Sequence, residues 1–460
     1  MASSVRLPTL PSLLLATLAG VYALVMLGAT TSVTDALASC SGWPTCDGRV
    51  LVPLSDPAAV ALAHRLIAVV VGLLLVVVVL AAVRQAEPRR VRFALGCVLV
   101  GYLAQIGVGA LTALERASPF VGVVHLGLGM AIFAALVAAF AWSLEQRHPT
   151  FRSPAREPST QSAQPTAVTI QPTRRDVILA YLSLTKPRLM WLLCLVALAA
   201  MAFAAGPALP VGTVLATLVG GVLAIGASGT FNHVLERDVD RRMQRTSERP
   251  LAVERIPVHR ALAFGFVLAL LSIGVFLAFV NTLAAVLGLA AIVFYSVIYT
   301  LVLKPNTVQN TVIGGFAGAL PALIGWAAIT GTLSLPAIVL ALVIFAWTPA
   351  HFYNLALIFK RDYAQGGFPM LPVVRGDRTT RKHIMWYAGA TMLAVAWLAA
   401  VGSLGWLFAA VAIVAGLAFV VMILRLHVHQ THSAAWHTFH TSNGYLGVLL
   451  VAIILDAMLI

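Results

Sequence analysis

Acidic residues are scarce in this chain: 16 Asp and Glu in 460 residues, with charged residues of both signs together making up 10%. Soluble domains carry roughly 25% charged residues, so an ordinary soluble fold is excluded. Four cysteines are too few to build a disulfide scaffold of this length. The lack of a glycine period excludes collagen, and the lack of charge excludes a disordered chain. What is plentiful is apolar surface. Hydrophobic residues make up 60% of the chain, and the mean hydropathy is +0.94. The predicted fold class is therefore an all-α polytopic membrane protein. The 30 basic residues give a formal net charge of +14. On a soluble chain that excess would suggest nucleic acid. Here loops obeying the positive-inside rule account for it, and no nucleic-acid partner is expected.

Apolar runs of 18 or so residues, separated by short polar breaks, predict about thirteen transmembrane helices. Four lie near 10–31, 58–83, 92–114 and 121–143. Nine lie near 189–206, 211–234, 258–280, 282–303, 312–330, 333–358, 383–402, 404–425 and 443–460. The first run is long and lacks a clean cleavage site, so it reads as a span and not a signal peptide. Basic residues orient the set. Arg84, Arg89, Arg90 and Arg92 follow the second span, and Arg174, Arg175, Lys186 and Arg188 precede the fifth. Seven arginines crowd 237–260, and Lys360, Arg361, Arg381 and Lys382 flank the loop after the tenth span. A cytoplasmic N-terminus in the cell membrane puts all of these inside. Residues 144–176 are rich in Pro, Ser, Thr, Gln and Arg and read as a flexible cytoplasmic linker. The chain thus divides into a four-helix unit over 1–143, that linker, and a nine-helix unit over 177–460.

In the first unit, Cys40 and Cys46 bracket a short proline-containing loop on the outer side, CSGWPTC, compatible with a disulfide. Cys97 and Cys194 lie within spans, where cysteine packs as a small apolar residue. His64 lies near the outer end of the second span and His125 opens the fourth. Two histidines at matching depths in a four-helix unit are compatible with axial ligation of a haem, although a lone intramembrane histidine often only packs. CSGWPTCDG, AHR, QIGVGALTAL and VVHLGLGM resemble one half of the haem A synthase family, over roughly residues 10–143. That family carries an outer cysteine pair and haem-ligating histidines, which the resemblance maps to Cys40, Cys46, His64 and His125. It usually carries a glutamate three residues before the first histidine, where this chain has Ala61.

Five of the 16 acids follow the sixth span: Glu236, Asp238, Asp240, Glu248 and Glu254. Asn232, Glu236 and Asp240 recur every four residues, so a helix continuing past the membrane edge puts their oxygens on one face. Such a donor set suits Mg²⁺. Asp238 lies off that face, where it could hydrogen-bond the cluster. Arg237, Arg241, Arg242, Arg245 and Arg249 are interleaved, and arginine forks match phosphate oxygens. A solvated juxtamembrane loop explains the arginines but not the Asn–Glu–Asp face. A second polar cluster closes the tenth span: His351, Asn354 and Asp362, beside Lys360 and Arg361. A histidine inside a span is a functional candidate by default. Tyr295 and Tyr299 stand one turn apart, with Lys304 beyond them. The small residues Gly314, Gly315, Gly318 and Ala319 permit close helix packing.

These motifs, from Asn232 to Pro250, through YTLVLK and IGG, to WTPAHFYNLAL, Asp362–Tyr363 and PMLPVV, resemble the UbiA superfamily of intramembrane prenyltransferases over about 178–460. Within it they are most similar to the haem O synthase (protoheme IX farnesyltransferase) family. Departures are Glu236 for the usual aspartate, Pro305 for a common basic residue and Ala350 for a common second proline. The resemblance implies a nine-helix bundle and transfer of a farnesyl group from farnesyl diphosphate to the vinyl group of haem B, giving haem O. It implies Mg²⁺ on Asn232, Glu236, Asp240 and Asp362, and diphosphate on Arg245, Arg249, Lys304, Lys360 and Arg361. Tyr295 and Tyr299 would shield an allylic cation, and Asp238 and His351 complete the catalytic candidates. Haem A synthase, which consumes haem O, is an implied partner. Two rivals are a UbiA-type enzyme with a quinone or other lipid acceptor, and a haem carrier or transporter. The haem-type sequence at 347–374 argues against the first. The lack of an evident inverted repeat, with acids at one rim, argues against the second.

Overall fold

The computed structural model describes residues 9–31, 40, 42–46, 48–49, 52–53, 58–114, 119–147, 173–402 and 404–459. Helices dominate because runs of Leu, Val, Ile and Ala satisfy every backbone group internally, as a bilayer requires. The first unit comprises α1 (Leu10–Thr31), α2 (Ala58–Arg84), α3 (Arg89–Leu114) and α4 (Pro119–Arg147). A short helix, α5 (Arg174–Leu184), precedes the second unit. That unit holds α6 (Pro187–Ala205), α7 (Val211–Leu235), the one-turn α8 (Arg237–Asp240), α9 (Val258–Phe279) and α10 (Thr282–Val293). A π-helical segment, Phe294–Leu303, continues α10 into α11 (Lys304–Asn306). Then come α12 (Asn310–Thr330), α13 (Leu335–Ile358), α14 (Lys360–Gln365), α15 (Leu371–Val401), α16 (Trp406–His429) and α17 (His432–Leu459). Among the described residues thirteen helices are long and apolar enough to cross a membrane, the number the apolar runs predict. The chain is an integral membrane protein.

Most of the linker predicted over 144–176 lies outside the described residues, at 148–172. Both of its ends are helical. α4 runs on to Arg147, and α5 starts behind Thr173, whose hydroxyl accepts the Asp176 N–H while Asp176 accepts from the Thr173 N–H. This reciprocal cap satisfies two helix-end donors. Five histidines near the C-terminal end of the chain also lie on helices: His427 and His429 end α16, and His432, His437 and His440 belong to α17.

One continuous apolar core joins the two units. Tyr22 of α1 and Phe133 of α4 pack ring to ring at 5.6 Å, and Tyr22 also lies over Gly416 of α16. Gly389 of α15 lets α4 approach so closely that an added Cβ would meet Val137 at 2.8 Å. At the helix ends Glu145 of α4 gathers Arg90 of α3 (3.1 Å) with Lys382 (3.2 Å) and Arg378 (3.6 Å) of α15. α15 is broken at Gly376, whose φ of 79° favours glycine.

Candidate active site

The second unit encloses a cavity of about 1790 Å³. Its rim is built where α7 ends. The backbone N–H of Glu236 bonds to the Asn232 carbonyl at 2.9 Å, and that of Asp240 to the Glu236 carbonyl at 2.8 Å. The i→i−4 ladder thus continues across the break between α7 and α8, and the three side chains share one face. All three are buried. Each is held by a cation from elsewhere in the chain. Lys304 Nζ donates to Glu236 Oε1 at 2.5 Å. Arg249 Nη1 donates to both Asp240 oxygens, at 2.9 and 2.8 Å. Lys186 Nζ donates to Asn232 Oδ1 and, at 3.1 Å, to the Tyr295 hydroxyl. Asn232 in turn donates to Thr300 Oγ1 at 3.0 Å.

Burial and charge oppose each other at this rim. Burial alone would lift the Glu236 carboxyl, but the Lys304 and Lys186 ammoniums hold it below its ordinary value. Burial lowers Lys186 to about 8, despite the nearby Glu236 carboxylate. Burial also raises the Asp240 carboxyl, against the pull of Arg249. The donor set suits a hard, oxygen-loving cation. Among the described residues no group of three or more His, Cys, Asp or Glu side chains is gathered to hold a metal by itself. That pattern fits Mg²⁺, which usually binds through one or two carboxylates, waters and substrate phosphates.

Asn232, Glu236, Arg245, Arg249, Lys304, Tyr295, Tyr299 and His351 all line the cavity. Tyr295 and Tyr299 stack at 5.5 Å between ring centres. They stand on the π-helical segment, a distortion frequent at functional sites. An added Cβ on Gly314 would lie 2.6 Å from the Tyr299 ring. Gly314→Ala should therefore displace the tyrosine and cut turnover by roughly 10²-fold. Gly318→Ala, whose Cβ would meet Thr348 at an ordinary 3.5 Å, should cost far less. Comparing the two rates checks this.

Asp240 and Asp362 sit behind the lining. Asp362 accepts the backbone N–H groups of Gln244 (3.1 Å) and Arg245 (3.0 Å), tying the arginine loop to α14. The Arg245 guanidinium then lies over the rings of Phe359 (4.7 Å) and Tyr363 (5.4 Å). Three further expected residues do not line the cavity. Asp238, on the outer side of the α8 turn, is exposed and paired with Arg237 at 3.0 Å and Arg241 at 3.8 Å. Lys360 pairs with Asp377 at 2.8 Å beside the α15 break, and Arg361 is exposed. Sequence reasoning missed Lys186, His233, Trp436, Phe439 and His440, which also line the cavity. The Lys-Pro pair opening α6 was the one local signal for Lys186.

In the first unit Cys40 and Cys46 are joined in a disulfide with Cα atoms 4.8 Å apart. Arg65 Nη1 pins that loop by donating to the carbonyls of Pro44 (3.2 Å) and Thr45 (3.0 Å). His64 and His125 each pack against a glycine, with ring atoms 3.6 Å and 3.0 Å from where a Cβ on Gly28 and on Gly109 would stand. Among the described residues neither buried Nδ1 has a hydrogen-bond partner, nor has the buried Gln105 Oε1. Gln105 donates to the His125 carbonyl at 2.9 Å. Orphaned buried nitrogens are uncommon, and two together fit a bound group.

The described residues form an all-helical membrane fold with a cation-studded rim over a cavity lined by aromatic rings, an arrangement suited to an apolar chain that carries phosphate. Comparison with known proteins places it further. The model of the UbiA prenyltransferase family matches residues 193–445. A protoheme IX farnesyltransferase of Haloarcula marismortui is 53% identical over 460 residues, covering 98% of this chain and 98% of its own length. Protoheme IX farnesyltransferase 1 of Natronomonas pharaonis is 55% identical, covering 97% and 98%. A solved structure concerning digeranylgeranylglyceryl phosphate synthase shares the fold, with a TM-score of 0.53 at 15% identity, over 62% of this chain and 99% of that one. The chain belongs to the UbiA prenyltransferase family.

Proposed function

We propose that the chain transfers the farnesyl group of farnesyl diphosphate to a vinyl carbon of haem B, giving haem O and diphosphate. The relatives' activity supports the acceptor. The observation that carries the site is the set of half-buried cations Lys186, Lys304 and Arg249 beside buried oxygens, at the mouth of a cavity of about 1790 Å³. Asn232, Glu236, Asp240 and Asp362 are the residues that would hold Mg²⁺, which when bound neutralises charge on the departing diphosphate. Lys186, Lys304 and Arg249 then turn from these side chains to the diphosphate oxygens, and Arg245 joins them from the faces of Phe359 and Tyr363. The C–O bond breaks, leaving an allylic cation that the stacked faces of Tyr295 and Tyr299 shelter. The vinyl group attacks to form the new C–C bond. Water adds to the resulting cation and gives up a proton, leaving a hydroxyethylfarnesyl group. His351 lines the same cavity, where it would meet the acceptor. The basic loops support a cytoplasmic N-terminus and a cytoplasmic rim.

His64 and His125 support a second reading for the first unit, a haem held beside the transferase that delivers haem B or passes haem O to haem A synthase. One assay tests the main proposal. Membranes containing the full chain, given haem B, farnesyl diphosphate and Mg²⁺, should yield haem extracts with the mass of haem O. A prenylated quinone or lipid instead would replace the acceptor, and no product would favour a carrier. For the second reading, the full chain purified from cells should retain haem, and His64→Ala with His125→Ala should lose that fraction. Unchanged haem content would remove the first unit as a haem site.

A further inference from the structure

One wall of the cavity is built by α13 and α17, and it fixes one imidazole on three sides. Trp347 stacks on His351 at 4.3 Å and 15°, and Phe439 covers the other face at 4.5 Å and 30°. Trp347 is itself pinned, its Nε1 donating to the Ser442 carbonyl at 2.9 Å. The third restraint is the Ser442 hydroxyl, which bonds to the Phe439 carbonyl at 2.7 Å and lies 2.7 Å from His351 Nδ1. When the hydroxyl proton lies on that carbonyl, the oxygen accepts from Nδ1, and Nδ1 carries the hydrogen. Nε2 is left with its lone pair. Among the described residues no group bonds to it, and His351 lines the cavity.

A neutral imidazole with one nitrogen anchored and the other open is the arrangement of a metal ligand. Among the described residues no group of three or more His, Cys, Asp or Glu side chains is assembled for a metal, and the other imidazole on this wall, His440, is stacked on Trp436 at 5.6 Å. A bare cation would find too few donors here. A metal that brings its own equatorial nitrogens needs only one. The flanking rings of Trp436 and Phe439, edge to face at 5.6 Å, offer apolar surface to a flat macrocycle. We propose that His351 Nε2 is the axial ligand by which the protein grips the iron of its porphyrin acceptor. Ser442 is the positioning residue that orients it. This rests on the reading above that the acceptor is a haem. Gripping the iron fixes the macrocycle plane, and with it the vinyl edge, relative to the tyrosine pair and the diphosphate rim.

The test uses the purified full chain carrying His64→Ala and His125→Ala, so that the first unit contributes no imidazole. Titrated with ferric haem, this background should show a histidine-ligated Soret band and electron spin resonance spectrum. Adding His351→Ala should weaken binding at least tenfold and abolish that signature, and free imidazole should restore it. His351→Met, which fills the same slot between Trp347 and Phe439, should shift the spectrum towards thioether ligation. Ser442→Ala should weaken binding several-fold while keeping the histidine signature. The intact chain should prefer haem to metal-free protoporphyrin as acceptor, with the difference in KM, and His351→Ala should lose that preference. Unchanged spectra in both His351 variants would overturn the assignment. If haem O forms but the spectra do not move, the ligand assignment alone falls. If no haem product forms from the unmodified chain, the acceptor reading falls with it.

Discussion

Replacing Glu236 by glutamine, or Asp240 by asparagine, should lower the rate of farnesyl transfer by about 10²–10³-fold, the cost of removing one preorganised electrostatic group. Both changes keep the size of the side chain and an oxygen acceptor for Lys304 or Arg249, so the fold should persist. What they remove is charge. At the mouth of an apolar cavity that charge is worth more than in water. Each variant should also need more Mg²⁺ for half-maximal turnover. Measuring the rate across a Mg²⁺ series, with melting in detergent as the control for folding, decides the matter. Wild-type turnover in both variants would remove these carboxylates from the reaction. A lowered rate with an unchanged Mg²⁺ requirement would leave them as anchors for Arg249 and Lys304.

The Asn232–Glu236–Asp240 face was legible because it is a local property. Four-residue spacing survives the break after Leu235, since the hydrogen bonds continue through it. The thirteen spans were legible for a similar reason, as a bilayer demands long apolar helices. Lys186 was not legible as part of the site. It reaches Asn232 and Tyr295 across 46 and 109 residues, and no local pattern encodes such a meeting. Lys360 and Arg361 were assigned to the diphosphate because they flank Asp362 in sequence. A helix turn separates neighbours, and Asp377 captured Lys360. The same geometry turned Asp238 outward while its neighbour Asp240 faced in. The helical start at Arg174 could have been read, because Thr173 and Asp176 form a capping pair. Apolar composition across 282–303 gave no sign of the π-helical turn that presents Tyr295 and Tyr299.

Lys304→Met should separate the two jobs that the rim cations perform. Lys304 holds Glu236 Oε1 at 2.5 Å, an oxygen proposed above for the metal, so the two would compete. It also lies 4.4 Å from the ring centre of Phe368 and lines the cavity where a diphosphate would lie. Without it, turnover should fall by about 10²-fold as the leaving group loses a counter-charge. Mg²⁺ should meanwhile bind more tightly to the protein before substrate is added, by roughly tenfold if about 1.4 kcal/mol of competition is relieved. Stability should report the same exchange. Breaking a buried ion pair by removing one partner costs about 3–5 kcal/mol, so the variant should melt below wild type without Mg²⁺ and gain more from its addition. In wild type the depressed Glu236 carboxyl contributes stability above its ordinary value of 4.5, and that stability is lost as pH falls through the lower folded value. The variant should lose this contribution, because an unpaired buried carboxyl takes up its proton at higher pH. Calorimetric Mg²⁺ titration and melting curves read both effects. A variant that binds Mg²⁺ no better than wild type would mean that Lys304 and the metal do not share Glu236.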